Sequence, residues 1–186
     1  MKKTVSMILA ILMLTCSVAL AEGSVPITPV DLGEIELNFE PTWVAFENDL
    51  QMAIPSDWAE MEVSEEIAAT GVFYLAKNPE ATLVVGLAYA QIGLTELDSL
   101  APTLAALYPS LGVIVANGVS MIAYDDETAG YSALLTVDGL GGMYMLTFAP
   151  VVEDEALTMT AIAMMTSLGP VEGAEATADA TAAPAN

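Results

Sequence analysis

The 186-residue chain contains no histidine and one cysteine, Cys16, and its only basic residues are Lys2, Lys3 and Lys77. These absences exclude a great deal. Zinc and haem centres lose their usual nitrogen and sulfur ligands. A serine or threonine nucleophile has no imidazole to activate it, and Lys77 is the one lysine placed to serve instead. Lys77 directly precedes Asn78-Pro79, where it reads as a solvated turn residue. A chain with 25 acidic residues and a net charge of −22 repels nucleic acid and anionic lipid, so neither is expected as a ligand. The partners that its charge favours are proteins with basic surfaces and cationic ligands.

The N-terminus reads as a secretory signal. Met1-Lys2-Lys3 is a basic start, residues 5–14 are apolar, and Ala19-Leu20-Ala21 is a small-x-small cleavage site. Cleavage is expected between Ala21 and Glu22. The alternative is acylation at Cys16, which Thr15 disfavours because lipoprotein signals carry Gly, Ala or Ser there. Cleavage after Ala21 leaves Lys77 against all 25 carboxylates, a net charge of −24. It also removes the only cysteine, so the exported chain would rely on its core without a disulfide. With 55% apolar residues, the roughly 130 residues left after trimming both ends suffice for one domain. No second stretch is long enough to cross a membrane.

The expected organisation is a signal peptide at 1–21, an acidic, Pro-containing leader at 22–42, one domain at 43–170 and a disordered Ala/Thr-rich tail at 171–186. In the leader, the Ile35-Leu37-Phe39 alternation suggests a short edge strand. Apolar runs at 43–46 and 50–54 flank Glu47-Asn48-Asp49, a hairpin signature that Pro55 terminates. Trp58 then returns an aromatic towards the core, with Leu157, Ala161, Met164 and Leu168 as expected partners; an exposed stacking platform is the functional alternative. Ser64-Glu65-Glu66 suits the start of one helical turn.

A second hairpin is expected at 71–77 and 82–91 around Asn78-Pro79-Glu80. Leu97, Leu100, Leu104 and Leu107 hold helical spacing from Thr95, with Pro102 either kinking this helix or marking the first turn of a later one. Two further hairpins surround Asn117-Gly118 and residues 138–142. A closing helix spans about 153–168, stopped by Gly169-Pro170. The class is therefore α+β: an antiparallel sheet of about six to eight strands, with helices packed on its faces.

This order of elements, with Ile54-Pro55-Ser56-Asp57-Trp58 closing the first strand pair and Thr166-Ser167-Leu168 closing the last helix, resembles the PsbP-like domains over about residues 43–168. The family includes photosystem II extrinsic proteins and small exported bacterial proteins. The resemblance implies a PsbP-like sandwich and no enzyme activity, and it transfers no functional residue.

Candidate chemistry is sparse. Asp125, Asp126 and Glu127 in a turn are calcium candidates through their oxygens, although EF-hand spacing is absent and a solvated turn explains them as well. Gly139-Leu140-Gly141-Gly142 lacks the lysine and strand-to-helix setting of a phosphate loop. Met143, Met145, Met159, Met164 and Met165 suggest a soft-metal site, with core filling the commoner use. A glycosidase needs two facing carboxyls, and no pair stands out. The expectation is an exported, acidic, non-enzymatic binding module needing no cofactor, probing protein partners. A carboxylate-dependent hydrolase and a calcium-binding extracellular protein are the alternatives.

Overall fold

Leu50, Gln51, Met52, Ala53 and Ile54 alternate as a strand should, and in the computed structural model they pair with the apolar run before them. The structure describes residues 28–46, 49–152 and 154–171. The expected signal peptide, the Ala21-Glu22 junction, the tail from 172 and the turn residues Glu47 and Asn48 lie outside the described residues. Strand β1 is Val30–Gly33; β2, Pro41–Ala45, and β3, Leu50–Pro55, form the first hairpin, with Trp43 opposite Ala53. Pro55 pairs with Pro41 at the ladder's last rung, as its missing N–H requires. Next come β4, Ala59–Glu60, and the single-turn helix α1, Glu65–Ala68. Ser64 caps α1 by accepting a hydrogen bond from the Ile67 N–H at 3.4 Å.

Strands β5, Val72–Lys77, and β6, Val84–Gln91, form the second hairpin. The Asn78 side chain holds its turn, accepting from the Thr82 and Leu83 N–H groups at 2.9 Å each. The helical pattern after Thr95 becomes a 3₁₀ turn, Leu97–Ser99, and a separate short helix α2, Ala101–Ala105. Pro102 lies in the first turn of α2, where its missing N–H costs nothing. Strands β7, Gly112–Ala116, and β8, Val119–Asp126, are joined by Asn117 and Gly118, with φ of 51° and 76°. Strands β9, Tyr131–Val137, and β10, Gly142–Ala149, precede helix α3, Glu155–Thr166, and the two-residue β11, Gly169–Pro170. Asp154 caps α3 through its carboxylate, accepting from Leu157 N–H at 3.1 Å.

The α+β class holds, with the expected architecture corrected in three respects. Among the described residues two sheets form, an eight-stranded one in the order β1-β7-β8-β9-β10-β6-β5-β4 and a three-stranded one in the order β11-β3-β2. The larger sheet is mixed, because β1 pairs parallel with β7. The layers on its faces are only partly helical. One face packs against the small sheet and α3 through Met52, Ile54, Phe148, Ile162 and Met164. The other is covered by α1 and the segment 92–111, over Ile122, Leu135 and Met145. Gly169-Pro170 ends the helix as expected but also adds β11 beside β3.

The leader does not supply the strand expected at 35–39. Ile35, Leu37 and Phe39 are half-buried and their neighbours exposed, so the alternation is real, but no ladder forms there. Instead this segment is a strap along α3. Asn38 Nδ2 donates to Thr160 Oγ1 at 3.0 Å and to the Ala156 carbonyl at 3.3 Å. The Asn117 amide bridges the N–H and C=O of Ile35 at 2.7 and 3.0 Å. Covered by the strap and the core, α3 buries every residue from Thr160 to Met165 rather than the single stripe its spacing suggested. No helix among the described residues is long and apolar enough to cross a membrane.

Candidate binding groove

Where the end of β2 approaches β4, β5 and α1, the two sheets leave a groove of about 570 Å³. Its aromatic lining is Phe46, Phe73, Tyr74 and Tyr89, with Val44, Val63 and Val72 beside them and Glu60 as the one carboxylate among the described residues. A β-bulge builds it. The register of β5 on β6 slips between Val72, opposite Ala88, and Tyr74, opposite Leu87. The extra residue is Phe73, and both Phe73 and Tyr74 meet Phe46, edge-on at centroid distances of 5.1 and 5.5 Å. Gly71, at φ 87°, turns the chain from α1 into β5 and accepts the Tyr89 N–H at 3.0 Å. Burial, and then the charge of Glu60, push the Tyr74 hydroxyl up to about 12. It therefore keeps its proton at neutral pH and stays a donor.

The residues singled out from sequence lie elsewhere. Asp125 Oδ1 accepts from Ser132 Oγ at 2.6 Å, and its main chain exchanges hydrogen bonds with Ser110 Oγ. Asp126 Oδ1 accepts from the Ala129 N–H at 2.8 Å, closing the turn, and Glu127 is exposed. Among the described residues no three His, Cys, Asp or Glu side chains gather as a metal site would require. Asp125 is the only carboxylate lining a smaller cavity of about 190 Å³, where a two-carboxyl hydrolase would need a second. Met143 and Met145 lie on one face of the large sheet and Met164 and Met165 on the other, so these methionines do not converge on one ion. Lys77 ends β5 opposite Ala59, outside the groove.

In the glycine loop, the N–H groups that would hold a phosphate already serve a carboxylate. Asp138 Oδ1 accepts from Leu140 and Gly142 at 2.7 and 2.8 Å, and Tyr89 Oη donates to Asp138 Oδ2 at 3.2 Å. Burial raises this carboxyl, but the hydrogen bonds outweigh it and hold it below its ordinary value. Trp58 is half-buried and packs against the core cluster that the two sheets and α3 share. Trp43 is 51% exposed.

The groove was not legible as a site because Phe46, Phe73 and Tyr89 are brought together only by sheet pairing. The one local signal is Phe73-Tyr74, two adjacent aromatics that break strict alternation and mark the bulge.

No protein-family model and no curated protein matches this chain. Among solved structures, the cyanobacterial PsbP (CyanoP) of Synechocystis sp. PCC 6803 is 11% identical with a TM-score of 0.48, over 69% of this chain and 91% of that one. A Bacteroides thetaiotaomicron protein is 17% identical with a TM-score of 0.45, over 68% of this chain and 47% of that one. This chain thus spans about half the length of the Bacteroides protein.

Proposed function

We propose that this chain is an exported, acidic, non-catalytic binding module whose groove receives an apolar side chain of a protein partner. The observation that carries the reading is the groove itself: four aromatic rings around about 570 Å³, with one carboxylate, Glu60, among its lining residues. Sites of this kind, apolar with few polar groups, are the usual form of a recognition pocket. The chain has no histidine, and Glu60 is the one carboxylate among the described residues lining the groove; Asp31, Glu34 and Glu36 line a separate open hollow of about 610 Å³ beside β1 and β7, so the groove's own lining favours binding over acid–base chemistry.

The test is affinity capture from the native secretome with the exported chain, Glu60→Lys and Phe73→Ala side by side. Glu60 is exposed, so its reversal leaves the core intact and acts on the groove alone. The expected result is a protein captured by the parent and lost with both variants at unchanged melting temperature for Glu60→Lys. Equal capture by all three chains overturns the groove as the partner site.

A further inference from the structure

Among the described residues strand β2 is the outer strand of the small sheet, and the hydrogen bonds of its hairpin fix which way each backbone group points. The Phe46 N–H donates to the Leu50 carbonyl at 2.7 Å, and the Ser56 N–H to the Glu40 carbonyl at 2.8 Å. Antiparallel rungs alternate between bonded and non-bonded pairs. With Val44 opposite Met52 and Trp43 opposite Ala53, the bonded residues of β2 are Thr42 and Val44. Trp43 and Ala45 therefore turn both N–H and C=O away from β3, along the free edge. The same parity is visible across the hairpin, where the Ala53 N–H leaves the rung and donates to Ser167 Oγ at 2.9 Å.

That free edge ends at the groove, which is lined by Val44, Ala45 and Phe46. We infer that the partner is a basic, extended segment of another protein, added as a strand along Trp43–Ala45 with alternate apolar side chains entering the groove. The inference rests on the groove being the partner site. Strand addition uses the free main-chain groups for affinity and alternate side-chain pockets for selectivity. In an added strand, side chains on one face meet Phe46, Phe73 and Tyr74. Those on the other lie beside Trp43, whose exposed ring suits a lysine or arginine.

Charge selects among occupants. The wall from 59 to 68 carries Glu60, Glu62, Glu65 and Glu66 and no basic residue. The chain's own C-terminal residues carry Glu172, Glu175 and Asp179 and no lysine or arginine, so they are repelled here. A second copy brings a net charge of −22 of its own. A basic partner is the occupant that these charges attract.

The test is calorimetric titration of the exported chain with a blocked peptide, Lys-Val-Lys-Phe-Lys-Val. Its comparators are the glutamate counterpart and a form N-methylated at the amides facing β2. The basic peptide should bind, the glutamate form at least about tenfold more weakly, and the methylated form weaker by about tenfold, the effect of losing two backbone hydrogen bonds. Ala45→Pro should reproduce that loss from the protein side, and the methylated peptide tests the same bonds without altering the fold. Equal binding of plain and methylated peptides overturns strand addition while leaving the groove reading to the Glu60→Lys capture. Failure of the basic peptide to bind, equal binding of the glutamate form, or a dimer of the chain that Ala45→Pro dissolves, overturns the inference.

Discussion

Tyr108, Tyr124 and Tyr131 sit where the segment 92–111 covers the large sheet. Tyr108 stacks on Tyr124 at 4.2 Å, and Tyr131 meets Tyr124 edge-on at 6.3 Å. The hydroxyls of Tyr124 and Tyr131 are buried, and neither makes a hydrogen bond of good geometry among the described residues; burial pushes both upwards in pKa, and their mutual contact, too poorly aligned to satisfy either hydroxyl, lowers Tyr124 and raises Tyr131 further. The rings contribute through area and stacking, while an unsatisfied hydroxyl costs about 1–3 kcal/mol. Tyr124→Phe should therefore leave stability unchanged or raise it by about 1 kcal/mol in chemical denaturation; a loss of that size would mean the hydroxyl is satisfied in solution. Trp58 shows the opposite relation between sequence and burial. The turn after Pro55 was legible, and the Trp58 N–H does donate to the Pro55 carbonyl at 3.0 Å. The ring stays half-buried because β4 begins at the next residue and holds the backbone at the edge of the large sheet.

At the scale of elements, hairpins were legible wherever the turn chemistry is local. Asn117-Gly118 takes left-handed φ at both positions, and Asn78 closes its turn through its own side chain. The strap at 34–40 was not legible, since its partners lie far along the chain: Asn117 for Ile35 and Thr160 for Asn38. Of the two readings for the pattern after Thr95, the structure has the second: Pro102, which cannot occupy a helix interior, stands in the first turn of a helix that starts later. Asp138 organises the loop between β9 and β10, and Leu140 at its tip is 86% exposed, so the loop is held by hydrogen bonds rather than by packing. Since the folded carboxyl titrates below its unfolded value, its contribution is complete above about pH 4 and is lost as pH falls through the lower folded pKa. Asp138→Asn should therefore flatten the acid limb of the stability curve measured by urea unfolding at successive pH values. An unchanged limb would show that the carboxylate does not hold the loop.

Across the whole molecule, two layers meet a mixed eight-stranded sheet, and the small sheet stops short where α1 and β5 rise beside it. The α+β class could be read from alternation, helical spacing and turn residues. The second sheet could not, because β11 is only two residues long, and neither could the mixed character of the large sheet, because β1 pairs in parallel with β7, far along the chain. The groove and the outer edge of β2 both follow from that mismatch between layers, and with the chain's acidic character they make up the proposed docking site. The measurement that addresses this most directly is amide hydrogen exchange of the chain, alone and saturated with the captured partner. Free, the Trp43 and Ala45 amides should exchange rapidly, since neither is bonded within the hairpin. In the complex both should slow by about tenfold or more, together with amides around Phe73 and Tyr74. Unchanged exchange at Trp43 and Ala45, with protection appearing instead around Asp31 to Glu36, would contradict the account.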